Sequence, residues 1–238
     1  MTPESELGMG NKPKGARRWR RVAGWSAAVV AVAIGALHLP IAMRFLAQFG
    51  GCPFAGAQLT PAQMETARHW AVASRKGEDV APARPALGFT LDVTSEKDVH
   101  RWAIGAGVHC EDIRAALVVC KNVPPQAVGR PAGDAPVDEL ALGFNLRGQL
   151  VNVTTMRAHL GAREASSVSN GIASGLRAAL GPATHSAGSM AAASLGAPGA
   201  LGMATLSYRF GDYLAEVAAM NLPSSGLSVR EHYLSARD

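Results

Sequence analysis

The chain has 238 residues, 48% hydrophobic and 17% charged, which excludes a disordered polymer and leaves room for a membrane anchor plus one well-buried domain. Its net charge of +5 is gathered at one end: Lys12, Lys14, Arg17, Arg18, Arg20 and Arg21 oppose only Glu4 and Glu6, and Arg44 follows. From residue 45 onward 16 basic side chains face 16 acidic ones, so that part lacks the overall basic field a nucleic-acid partner requires.

Residues 1–21 read as a basic cytoplasmic tail. From Val22 to Met43 there is no charged side chain, and a helix of this length, rising 1.5 Å per residue, crosses a hydrocarbon core of roughly 30 Å. Val22, Val29, Val30, Val32, Ile34, Leu37, Leu39 and Ile41 favour insertion, while Gly24, Gly35, His38 and Pro40 oppose it. The basic flank argues against a buried core helix. A cleaved signal peptide has a shorter apolar region, and the nearest small-x-small site, Ala55-Gly56-Ala57, lies well past Met43. The expected element is an uncleaved signal anchor, single-pass, with the N-terminus in the cytoplasm and the rest of the chain outside the inner membrane, in the periplasm or an equivalent space. Trp19 and Trp25 fit an interfacial belt, and Arg17-Arg18 is a poor match to a twin-arginine signal. Cys52 follows small residues after the apolar run, but Phe49 and Arg44 suit a lipidation site badly, which leaves it as a juxtamembrane thiol.

Residues 44–85 form a juxtamembrane segment. Thr60-Pro61-Ala62-Gln63 is a helix start with a capping box, and the helix is expected to reach Arg75 with Met64, Ala67, Ala71 and Trp70 inward, as a stalk before a Pro/Ala linker at 81–85. The exported domain spans 86–238, with sub-lobes at 86–123 and 138–238. Leu87–Val93 alternates as a strand does. Thr94 or Ser95 caps a helix to about Ile104 with Val99, Trp102 and Ala103 on one face, stopped by Gly105 and Gly107. Extended segments 108–113 and 116–123 flank a turn at Arg114-Ala115, and residues 140–146 and 150–159 form a hairpin about Arg147-Gly148-Gln149. A helix over 165–180 buries Val168, Ile172, Leu176 and Ala179 and stops at Gly181-Pro182. Residues 183–202 read as a loop, and strands follow at 204–210, 213–221 and 227–234. The class is α+β: one transmembrane helix, then a mainly antiparallel sheet with two or three helices packed on one face. A six-residue echo, Ala86–Leu91 against Ala141–Leu146, hints weakly at duplication.

Cys110 and Cys120 are the firmest local chemistry. In a hairpin about Arg114-Ala115 they fall opposite each other, close enough for a disulfide once the strands twist, and export would oxidise them. A redox-active pair needs tighter spacing. No two of the seven histidines are spaced two to four residues apart, so no helical His–His metal motif exists. His100, His109 and Cys110 could converge, but the metal expectation is none, and likewise for a cofactor. There is no Gly-x-Ser-x-Gly, Ser-x-x-Lys or phosphate-binding loop, so no catalytic residue is assigned. His185 is expected in the loop and His232 as an exposed strand residue. Tyr and Arg are frequent interface anchors, which makes Tyr208, Arg209, Tyr213, Arg230 and Tyr233 of the C-terminal strands the expected binding face. Two functions follow: a membrane-tethered envelope protein whose exported domain binds a protein or envelope component, or an exported enzyme assembled from Asp212, Glu216, Glu231 and His232. A third role, in which the helix with His38 and Pro40 is itself functional, rests on those two residues alone.

Overall fold

The computed structural model of the chain describes residues 60–131, 134–197, 203–222 and 226–237. The anchor expected at 22–43 and Cys52 lie outside them, and among the described residues no helix is long and apolar enough to cross a membrane.

Two helices begin as their caps dictate. Helix α1, Pro61–Ala73, carries the capping box, with Gln63 N–H donating to Thr60 Oγ1 (3.3 Å) and Thr60 N–H to Gln63 Oε1 (2.9 Å). Helix α2, Glu96–Ala106, repeats the device with Ser95 and Asp98 and ends at Gly107, whose φ of 65° closes a left-handed cap. Four strands follow: β1, His109–Arg114; β2, Leu117–Val123; β3, Val137–Phe144; and β4, Leu150–Leu160. Helix α3, Ala162–Leu180, leads to a short β5, His185–Ala187, and a single turn, α4, Ala192–Leu195. Strands β6, Met203–Arg209, β7, Tyr213–Leu222, and β8, Gly226–Ser235, complete the chain.

All eight strands join one antiparallel sheet in the order β1-β2-β3-β4-β8-β7-β6-β5. The first four form a meander from one edge to the centre. Helix α3 then carries the chain to the far edge, and the last four meander back until β8 pairs with β4. Each half is a helix followed by four strands, so the fold is two like units meeting at the β4–β8 seam. The sequence echo does not mark them: Ala86–Leu91 lies in turns before α2, whereas Ala141–Phe144 lies within β3.

Residues 59–238 form one compact unit. The inner sheet face buries Leu140, Leu142, Val153, Val217 and Val229 against α2 and α3. Helix α3 contributes Ile172, Leu176 and Leu180, with Val168 and Ala179 partly buried, and Trp102 of α2 packs edge-on against Phe89 and donates its indole N–H to Ala127 O (3.1 Å). The opposite face carries α1 through a separate cluster of Val72, Leu214, Leu234 and Ala236.

Three expectations need correction. Residues 87–93 are not a strand: Leu87 and Asp92 have positive φ (57° and 66°), and short-range bonds such as Thr94 N–H to Thr90 O (2.9 Å) fold them into turns. Leu87 and Leu91 are still buried, so the alternation reflects a buried turn. Helices α2 and α3 share one face, but α1, expected as a stalk apart from the domain, packs on the opposite one. It also presents a different side from the one expected, with Val72 buried and Trp70 76% exposed. Within 183–202, β5 and α4 replace a plain loop.

Cys110 and Cys120 are bonded, in the β1–β2 register pair that the hairpin arithmetic gives, with Cα atoms 4.0 Å apart. A disulfide of this kind suggests an oxidising, extracytoplasmic compartment. Closing so short a loop contributes about 2–3 kcal/mol. The Cys110→Ala/Cys120→Ala double variant is therefore expected to stay folded and lose about that much stability in urea denaturation, with β1 losing amide-exchange protection first.

Candidate functional site

The five residues expected as a binding face divide between the two sides of the sheet. Tyr208, Tyr213 and Tyr233 are 0%, 0% and 2% exposed and point into the helix-covered core. Tyr213 donates its hydroxyl proton to Pro85 O (2.6 Å) and Tyr233 to Glu231 Oε2 (2.6 Å). Burial raises all three phenol pKa values. Arg209 and Arg230 lie on the other, outer face, where Arg230 pairs with Glu216.

The four polar residues from which an enzyme site might assemble also separate. Asp212, in the β6–β7 turn, accepts from Ala81 N–H (2.9 Å) and pairs with Arg237 (3.2 Å). Glu216 and His232 are cross-strand neighbours on the outer face. Glu231 is on the inner face and fully buried, with Arg130 Nη2 donating to its Oε2 (2.5 Å) and Arg157 Nη1 to its Oε1 (2.7 Å). Burial by itself would raise the Glu231 pKa, but Arg130 and Arg157 together hold it below the usual carboxylate range. This is an ion cluster that ties β4, β8 and the segment around Arg130 together. It leaves Glu231 no free lone pair for chemistry.

The outer face instead carries a cleft. Helix α1 crosses one end of the sheet and leaves a cavity of about 360 Å³ beside it, lined from the sheet by Leu117, Gly143, Asn152, His232 and Leu234 and from α1 by Glu65, Ala67, Arg68 and Ala71. Arg75, Arg114, Ala116, Phe144 and Val151 complete the lining. A smaller adjoining depression shares Arg75 and His232 and adds Arg209 and Glu216. The two carboxylates are already engaged, Glu65 by Arg68 (2.8 Å) and Glu216 by Arg230. Arg68 also donates to Ser235 O (2.9 Å). Arg75, Arg114 and Arg209 have no ion pair among the described residues; Arg75 Nε donates only to Ala71 O (2.9 Å). Three arginines without an ion pair among the described residues thus lie in or beside this cleft.

His232 sits on the floor of this cleft, part-buried rather than exposed. Burial, and then the nearby Arg230 and Arg75, lower its pKa to about 4, with Glu216 acting in the opposite sense, so at neutral pH it is an uncharged imidazole. The cleft lining contains no Ser, Thr, Cys, Lys or Tyr. Its side chains can hold an anion and offer a hydrogen bond, and they include no hydroxyl, thiol or amine nucleophile.

Comparison with protein-family models, with curated proteins and with solved structures finds no match.

One possible cation cluster lies elsewhere. Glu96 and His100, one turn apart on α2, come within 4.8 Å of Asp112 on β1, and His100 Nε2 is 3.2 Å from Asp112 Oδ1. A search for His–His spacing misses this set because two of its three ligands are carboxylates. Neither His109 nor Cys110 joins it: His109 pairs with Glu111 (3.2 Å) and Cys110 is in the disulfide. Sequence reasoning also missed Arg68, Arg75 and Arg114, which no local pattern links.

Two outcomes are expected. Glu231→Gln removes the charge that compensates two arginines, and is expected to lose about 3–5 kcal/mol in chemical denaturation. The second is a pH effect. Because His232 titrates lower in the folded chain than in the unfolded one, the unfolded state takes up the proton first as pH falls below the ordinary value of 6.5. The His232 contribution to stability is complete above that value and declines toward pH 4, and Glu231 adds its own loss below the ordinary carboxylate value of 4.5. The melting temperature should therefore fall between pH 7 and 5, and His232→Gln should flatten that part of the profile.

Proposed function

We propose that the protein is a membrane-tethered, extracytoplasmic binding protein, held in the inner membrane by the apolar segment 22–43 and engaging an envelope component at the cleft between α1 and the outer sheet face. The observation that carries this reading is the cleft itself: a cavity of about 360 Å³ whose arginines have no ion pair among the described residues and whose lining holds no hydroxyl, thiol or amine nucleophile, in a domain with no net charge. The basic N-terminal cluster supports the orientation, and the disulfide supports export.

The competing reading, an exported enzyme built from Asp212, Glu216, Glu231 and His232, finds less support. These groups occupy a turn, the outer face and the buried inner face, and only Glu216 and His232 are neighbours.

The test is cross-linking and recovery of the tagged full-length protein from membranes. Wild type should capture a reproducible component, and Arg75→Glu/Arg114→Glu should lose it while melting at the wild-type temperature. Absence of any captured component, together with hydrolytic activity in a broad substrate screen, would overturn the proposal.

A further inference from the structure

The cleft beside α1 joins two properties that a salt-binding surface lacks. Its sheet floor is apolar at Leu117, Phe144, Val151 and Leu234, and Ala67 and Ala71 of α1 add a wall of small side chains. Its charge comes from arginines in two different elements, Arg75 just after α1 and Arg114 at the end of β1, neither of which has a carboxylate partner among the described residues. An unpaired guanidinium beside apolar surface attracts a carboxylate strongly, because the planar fork matches both oxygens while the surface excludes water. An anion without an apolar body would leave the floor wet, and an apolar body without charge would leave the arginines unsatisfied.

We propose that this cleft binds a small amphiphilic carboxylate, its acid group held by Arg75 and Arg114 and its apolar body lying on Leu117, Leu234 and the two alanines of α1. The assignment builds on the cleft being a binding site and adds the chemistry of what it takes. A cavity of about 360 Å³ is at the lower end of ligand sites, which run roughly 300–1,000 Å³, so the body is a single short alkyl or phenylalkyl group. The neutral imidazole of His232 and the amide of Asn152 supply polar groups on the floor without adding charge.

The test titrates 4-phenylbutyrate, 4-phenylbutanol and acetate calorimetrically into the full-length protein in phosphatidylcholine nanodiscs, with empty nanodiscs subtracted. The acid should bind, and the alcohol and acetate should each bind about tenfold more weakly or worse, each losing one of the two contributions. Arg75→Gln/Arg114→Gln, checked for an unchanged melting temperature, should weaken the acid by a comparable factor. Equal binding of acid and alcohol, equal binding of acid and acetate, or undiminished binding by the variant overturns the proposal. If the acid fails to bind while membrane capture still depends on Arg75 and Arg114, the ligand class is wrong and the binding function stands; if neither is seen, both fall. The source of the carboxylate is also read out. Displacement of a captured component by phenylbutyrate assigns it to a polypeptide, and acid binding with nothing captured assigns it to a free small molecule.

Discussion

The pairing of β4 with β8 at the centre of the sheet is the constraint on which the rest of the molecule depends. Among the described residues it is the only ladder joining the two four-stranded halves, and it brings together residues far apart in the chain, such as Thr155 with Glu231 and Thr154 with His232. The buried carboxylate of Glu231 secures this seam from the inner side. Arg157 reaches it from β4, Tyr233 from β8 itself, and Arg130 from the segment after β2. Such a cluster adds little net stability over a well-packed apolar substitute, but leaving any one of its charges unmatched is costly. Its effect is to make a single register far better than its alternatives, since a slip of one residue would carry Glu231 to the outer face and His232 into the core.

That alternation also explains how one strand serves two purposes. Val229, Glu231 and Tyr233 are buried under the helices, while Arg230, His232 and Leu234 lie on the face that α1 only partly covers. The inner face is closed by α2 and α3 and by the ion cluster. The outer face is left with a cleft whose floor comes from several strands and whose charges come from elements that meet only after the sheet has formed. Binding chemistry placed here does not disturb the core, because the two sets of side chains belong to alternate residues.

Much of the local structure was legible because its causes are local. Thr60 with Gln63 and Ser95 with Asp98 start helices through hydrogen bonds that span three residues. The Cys110–Cys120 pairing followed from a hairpin register that the short turn sets. What could not be read depends on contacts at long range. The periodicity of residues 87–93 cannot distinguish a strand from a turn whose leucines are buried. The three tyrosines looked like interface anchors, yet only the helix layer, which packs from elsewhere in the chain, decides which side of each strand is wet. The insertion of β8 beside β4 leaves no sequence signature.

The charges show the same limit. A count over the exported part gives zero, and that balance conceals three separate uses. Of its charged nitrogen side chains, thirteen are arginines and only three are lysines, a choice that suits burial and bidentate pairing rather than simple solubility. Arg130 and Arg157 are consumed in holding Glu231, and Arg68 and Arg230 in holding Glu65 and Glu216. Once those pairs are set aside, the arginines left around the cleft stand out, and they come from the end of α1, from β1 and from β6. A surface can be neutral in composition and strongly polar in arrangement. Here the fold engages many of its carboxylates elsewhere and leaves Arg75 and Arg114 at one cleft without an ion pair among the described residues.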